Sequence, residues 1–239
     1  MKVKVSKTVE ITSVDDWRTY APPKNQETQW KDGRSAKLLA QYVLSKNFAS
    51  DMSRIIKSCG FNASSTLFCE PEFNTSLPCS GSGRNHDLLI EGRDFVIGVE
   101  AKVSEPFGNT IGKEYNDSSE NKQNRVEKLL KYIDKSFDDA KDYKYQLLTG
   151  LVGTMLEAKK RKKNKCLFLV ILFAGDVETS GNALKGNEID FDDFRSKLLG
   201  FPSHDDSKIY NIDGVEITCQ LKKVEVNYRQ DFFCYNSNN

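Results

Sequence analysis

Residues 166–174 read Cys-Leu-Phe-Leu-Val-Ile-Leu-Phe-Ala, an uninterrupted apolar run. A strand with one face in water alternates apolar and polar residues. A run that is apolar at every position fits a strand buried on both faces, and such strands lie inside sheets covered by helices on either side. The run is far shorter than the ~20 residues that cross a bilayer, and no other stretch reaches that length, so no membrane partner is expected. The fold class implied is α/β, with the sheet built around this strand.

The rest of the chain supplies helices before, between and after the strands. Residues 3–12 alternate as a strand would, and Ser13 stands as an N-cap for a short helix through Trp17 that Ala21-Pro22-Pro23 ends. Helical spacing of Ala36, Leu39, Ala40, Val43 and Leu44 predicts a helix over about 34–46, and another over about 50–58 stops before Gly60. Strands are expected at Thr66–Cys69, about 86–91 and about 95–103, with a Ser- and Gly-rich loop at 74–84 and a turn at Gly92-Arg93-Asp94. Residues 106–121 read as an exposed loop, followed by helices over about 121–137 and 141–160. A short helix near 190–199 and a strand or hairpin over about 208–228 finish the chain, with 236–239 frayed. This is a single domain spanning 1–239, with a core over about 17–200 and a C-terminal extension over about 205–235. A chain of 239 residues can bury roughly 70% of its unfolded surface and needs no staples.

Charge narrows the function less than pattern does. Lys and Arg total 35 against 34 Asp and Glu, so any attraction to phosphate must come from local clustering. Six cysteines without a C-x-x-C pair read as free thiols, and the charged N-terminus lacks the apolar segment of a signal peptide. A cytoplasmic protein is the expectation.

The chemistry concentrates in His86-Asp87-Leu88-Leu89-Ile90-Glu91 and Phe95-Val96-Ile97-Gly98-Val99-Glu100-Ala101-Lys102-Val103. Side chains alternate along a strand, so Glu100 and Lys102 share a face with Gly98 and Val96, while Phe95, Ile97, Val99, Ala101 and Val103 form the core face. Matching the apolar faces of the two strands puts Asp87 on the Glu100/Lys102 face, opposite Gly98 or Glu100, across a connection of two or four residues. His86, the next residue, then points to the opposite face as a support. Asp87 and Glu100 offer oxygen ligands suited to Mg²⁺ or Mn²⁺. Such an ion activates water and stabilises charge on a phosphoryl oxygen, with Lys102 assisting and Gly98 leaving room for a phosphate. E-x-K alone is common and often only a surface ion pair. The spacing to Asp87 and the flanking apolar runs make it specific.

Asp87, a hairpin and then Glu100-Ala101-Lys102 resemble the signature of the PD-(D/E)XK nuclease superfamily, with His86 where the signature carries proline. The resemblance extends over Trp30-Lys31-Asp32-Gly33-Arg34-Ser35-Ala36-Lys37, Pro71-Glu72, the Asn85 and Val99–Gly108 segments, Tyr145-Gln146-Leu147-Leu148, Glu157-Ala158 and Asp192-Asp193-Phe194. These are similar, in order and spacing, to an uncharacterised bacterial family within that superfamily, over roughly residues 17–200. The resemblance implies a restriction-endonuclease-like mixed β-sheet flanked by helices, with Asp87, Glu100 and Lys102 as the catalytic set. It also gives Gln146 two readings, a catalytic-site amide or a surface amide at a helix start. Glu72 is a third metal-binding carboxylate or a solvated strand end. Ser35 reads as a helix N-cap.

Lys159-Lys160-Arg161-Lys162-Lys163-Asn164-Lys165 is the strongest charge run. It reads as a helix C-terminus whose cations offset the macrodipole more readily than as a phosphate-binding patch. Trp17, Trp30 and Tyr42 read as packing residues. The function expected is a Mg²⁺- or Mn²⁺-dependent nuclease hydrolysing phosphodiester bonds, acting on DNA more than RNA and, like many nucleases of this architecture, working as a homodimer. The alternative is a catalytically silent nuclease fold used as a nucleic-acid- or protein-binding module.

Overall fold

The computed structural model describes residues 1–239 except 64–65, 80, 176, 204–205 and 229–239, and for 177–183 only the backbone. The fraying expected at 236–239, the last residues of the C-terminal extension and Cys234 lie outside the described residues. The structure is built on an eight-stranded mixed sheet in the order β2-β1-β3-β4-β5-β6-β8-β7. Its strands are β1 (Lys2–Val5), β2 (Val9–Glu10), β3 (Phe68–Thr75), β4 (Arg84–Glu91), β5 (Phe95–Lys102), β6 (Lys165–Ala174), β7 (Ser207–Ile212) and β8 (Val215–Asn227). β6 runs parallel to β5 on one side and to β8 on the other, while β3–β4, β4–β5 and β7–β8 are antiparallel.

β6 is the interior strand that its composition demanded. Cys166, Phe168, Val170 and Leu172 enter one hydrophobic cluster, and Leu167, Leu169, Ile171 and Phe173 enter the other. The first cluster is covered by helices α5 (Ile111–Asn116), α6 (Glu120–Tyr132), α8 (Tyr145–Lys160) and α9 (Val177–Asp193). The second is covered by α1 (Val14–Tyr20), α3 (Ser35–Val43) and α4 (Lys46–Ser58). Two short helices, α2 (Gln26–Gln29) and α7 (Phe137–Ala140), complete the set.

Local chemistry explains the boundaries. Ser13 is the N-cap of α1, accepting the Asp16 N–H, while Asp16 reaches back in a capping box. Three expectations change. The stretch 106–121 is not all loop, because Thr110 caps α5 by accepting the Lys113 N–H. The helix expected near 190–199 starts much earlier, at Val177, and its last turn passes into a π-helical turn over Phe194–Leu198. Ser35 is the first residue of α3 rather than its N-cap; Arg34 holds that position and contributes no capping side chain.

Among the described residues, no helix is long and apolar enough to cross a membrane. Cys59, Cys69, Cys79, Cys166 and Cys219 are free thiols.

Candidate active site

The β4–β5 hairpin sets the site. Its ladder pairs Glu91 with Val96, Ile90 with Ile97, Leu89 with Gly98 and Leu88 with Val99. The connection is therefore the four-residue one, and Asp87 comes level with Glu100. Here the strands part. Instead of another ladder pair, Asp87 Oδ2 accepts the Ala101 N–H at 2.7 Å.

The neighbouring β3–β4 ladder breaks at the same level. Pro71↔Leu88 and Phe73↔His86 are paired, but the Glu72/Asp87 position between them is not, and Glu72 has a φ of 49°. A non-glycine residue in that region carries strain of order 1–3 kcal/mol, which structures tend to retain at functional sites. The break also overturns a simple alternation. His86 does not point away from the Glu100 face. It lies against Gly98 of β5 and Gly153 of α8, since a Cβ on either glycine would stand 3.0 Å from its ring. Gly98 therefore admits a buried imidazole and Thr154, whose Oγ1 would be 2.1 Å from an added Cβ, and leaves no space there for a phosphate. His86 is fully buried, neither ring nitrogen has a hydrogen-bond partner, and burial holds its pKa well below the usual value.

Asp87, Glu100, Lys102, Glu72 and Gln146 all line one cleft of about 470 Å³, together with Arg34 and Ser35 at the start of α3. Each arrives from a different constraint. Asp87 is fixed by the parting of the strands, Glu100 and Lys102 by their shared face of β5, Glu72 by its backbone kink, and Gln146 by the first turn of α8. Gln146 Oε1 is buried and unpartnered, which favours the cleft reading of this amide over the surface one.

Three further residues carry no signal strong enough to pick them from sequence. Arg84 donates through Nη2 to Glu100 Oε2, while Lys102 Nζ holds the other oxygen at 2.7 Å. Asn85 donates to Glu72. Glu105 lines the cleft and accepts the Val103 and Ser104 N–H groups at 3.3 and 3.2 Å.

Burial dominates the electrostatics. It raises the carboxyl of Asp87, partly offset by Lys102, the Ala101 N–H and Arg84. It also raises Glu72, to about 8, with the charge of Asp87 adding to the effect. The same burial lowers the pKa of Lys102. Three carboxylates on one cleft wall offer oxygen-only donors, which suit a hard divalent cation. The donor chemistry of Asp87, Glu100 and Glu72 thus fits Mg²⁺ or Mn²⁺. Among the described residues, however, no three metal-ligating side chains are already gathered as a metal site. The two oxygens of Glu100 are turned to Arg84 and Lys102.

A family model described as a domain of unknown function, DUF6946, matches residues 10–226. The chain belongs to that family. No curated protein and no solved structure matches it. The DUF6946 match takes in β3–β5, α8 and β6, and so every cleft residue described above.

The basic run at 159–165 has structural work in this DUF6946 domain. Lys159 pairs with Asp213 at 2.9 Å, Arg161 with Glu157 and Glu91, and Lys165 with Asp94 at 3.1 Å. Lys163 donates to the Arg93 carbonyl at 2.7 Å. Arg161, Lys163 and Lys165 hold the end of β4 and the β4–β5 turn, and Lys159 holds the β7–β8 turn.

Proposed function

We propose that this domain is a Mg²⁺- or Mn²⁺-dependent nuclease of the PD-(D/E)XK kind, hydrolysing phosphodiester bonds in nucleic acid, DNA in preference to RNA. What supports the reading is the convergence of Asp87, Glu100, Lys102, Glu72 and Gln146 on one cleft. These residues stem from three consecutive strands and a helix more than 40 residues further on, and they combine acidic oxygen donors with a buried lysine. Free thiols suit a reducing cytosol.

Asp87 and Glu100 would hold the ion, with Glu72 as a third carboxylate on the same cleft. A cation held there would lower the pKa of a bound water and offset charge on the phosphoryl oxygens. Lys102, kept at the cleft wall beside Glu100 and over the Phe107 ring, donates to the phosphoryl oxygen on which charge develops. Ala101 orients Asp87 through its N–H. Gln146, with a free carbonyl oxygen, accepts a hydrogen bond from the attacking water.

One observation favours a second reading. Glu100 is already satisfied by two cations, which suits a nuclease fold retained as a binding module. The two part on hydrolysis of end-labelled single- and double-stranded DNA and RNA with Mg²⁺, Mn²⁺ or EDTA. The nuclease reading predicts cleavage that EDTA abolishes and that falls by a factor of about 10² or more in Lys102→Ala, as when one charge-stabilising donor is lost. No cleavage of any substrate supports the module, and cleavage that survives EDTA contradicts both readings.

A further inference from the structure

Two cavities meet at the first residues of β4. Beside the cleft lies a second lobe of about 370 Å³ between Leu77, Ser82 and Gly83, α6 and the start of α8. Arg84, Asn85 and Gln146 belong to both walls. The lobes differ in charge. The cleft is lined by Glu72, Asp87, Glu100 and Glu105 against Lys24, Arg34, Arg84 and Lys102. The second lobe has Arg84, Lys122 and Arg125 against Glu114 alone, which is an anion's environment.

The other two cations of that lobe are anchored. Lys122 is paired with Glu114, and Arg125 donates to the Pro78 and Ser82 carbonyls at 3.1 and 2.8 Å, which ties both residues to α6. Arg84 is the cation common to both lobes, and its guanidinium is only partly used. Nη2 bonds Glu100, whereas Nε is buried with no hydrogen-bond partner. A guanidinium offers five donors in a fixed fork, a geometry suited to phosphate. Glu100, conversely, has a cation on each of its oxygens.

We infer that the second lobe seats a phosphate of the nucleic-acid strand beside the bond to be cleaved, and that Arg84 exchanges Glu100 for that phosphate when a divalent cation takes its place. The inference rests on the nuclease reading and adds a substrate subsite and a positioning residue to it. The exchange needs side-chain rotation only, because Arg84 already lines both lobes. It makes binding reciprocal. Cation and strand pull Arg84 the same way, so each must strengthen the other's affinity by an equal factor.

The test measures Mn²⁺ affinity by calorimetry, and affinity for a short single-stranded phosphorothioate oligonucleotide by fluorescence anisotropy over a salt series. Wild type, Arg84→Gln and Lys122→Gln are compared. Arg84→Gln should bind Mn²⁺ alone about tenfold more tightly and the oligonucleotide about tenfold more weakly, the equivalent of one charge-assisted hydrogen bond each way. Its salt slope should fall by about 0.7, one phosphate contact on a single strand. Mn²⁺ should strengthen oligonucleotide binding in the wild type by a larger factor than in this variant. Equal or weaker Mn²⁺ affinity in Arg84→Gln, beside a wild type that binds the ion, overturns the exchange and leaves the nuclease reading standing. Absence of Mn²⁺ binding in the wild type, with and without oligonucleotide, defeats that reading and this inference with it. If circular dichroism finds Arg84→Gln unfolded, Lys122→Gln decides the subsite. It should weaken oligonucleotide binding and keep the wild-type affinity for Mn²⁺ alone, and an unchanged oligonucleotide affinity rejects the lobe.

Discussion

Glu100→Ala is expected to destabilise the fold by about 3–5 kcal/mol and to remove hydrolysis at the same time. Glu100 is 3% exposed, and its partners Arg84 and Lys102 have side chains only 10% and 9% exposed. Truncation leaves two buried cations without their counter-ion, and an uncompensated buried charge costs far more than a surface pair contributes. Urea denaturation reads the effect as a lower midpoint at unchanged slope. The account makes a sharper demand on the triple variant Arg84→Met, Glu100→Leu, Lys102→Met. With all three charges gone it should be closer in stability to wild type than Glu100→Ala is, because no orphaned charge remains. A cost below about 1 kcal/mol for Glu100→Ala would mean that the three groups are hydrated like a surface pair.

Phe168→Ala should be as costly, about 3–5 kcal/mol, for a different reason. Phe168 is fully buried in β6, the sheet's interior strand, and its ring abuts α8 at Gly150, where an added Cβ would stand 2.4 Å away. Helix and sheet approach closely only because a glycine faces an aromatic ring, so truncating the ring opens a cavity that neighbouring backbone cannot refill. Ile209→Ala on edge strand β7, where the side chain is 65% exposed, should change stability by less than about 0.5 kcal/mol and serves as the control. Thermal or urea unfolding of both separates the two classes. A Phe168→Ala cost no larger than that of Ile209→Ala would contradict the packing described for β6.

The elements that sequence made legible are those whose physics is periodic. The run at 166–174 had to be a doubly buried strand, and its residues alternate strictly between the two clusters. Apolar matching across the hairpin put Asp87 on the Glu100 face, opposite Gly98 or Glu100, because a slip of one residue would have buried the carboxylate; the ladder selects Glu100. Where periodicity stopped, so did legibility. The face of His86 depends on a left-handed backbone at Glu72, which no pattern in β3 announces. Arg84 begins β4 directly after a Ser- and Gly-rich loop, so it read as the end of the loop rather than as a wall of the site. The first half of α9 carries Gly181 and Gly186, and each interior glycine costs a helix about 1 kcal/mol, which hides the helix from propensity. The five residues singled out from sequence meet in one cleft, yet the salt bridges that engage Glu100 within it are a tertiary property.

The central claim is that Asp87 and Glu100 hold a divalent cation for work on nucleic acid. Its most direct measurement is calorimetric titration of Mn²⁺ into the wild type and Asp87→Ala, each with and without the short phosphorothioate oligonucleotide. The account predicts one ion per wild-type chain, bound more tightly with the oligonucleotide, and no binding in Asp87→Ala under either condition. Equal Mn²⁺ binding by both proteins, or none by the wild type even with the oligonucleotide present, would contradict it.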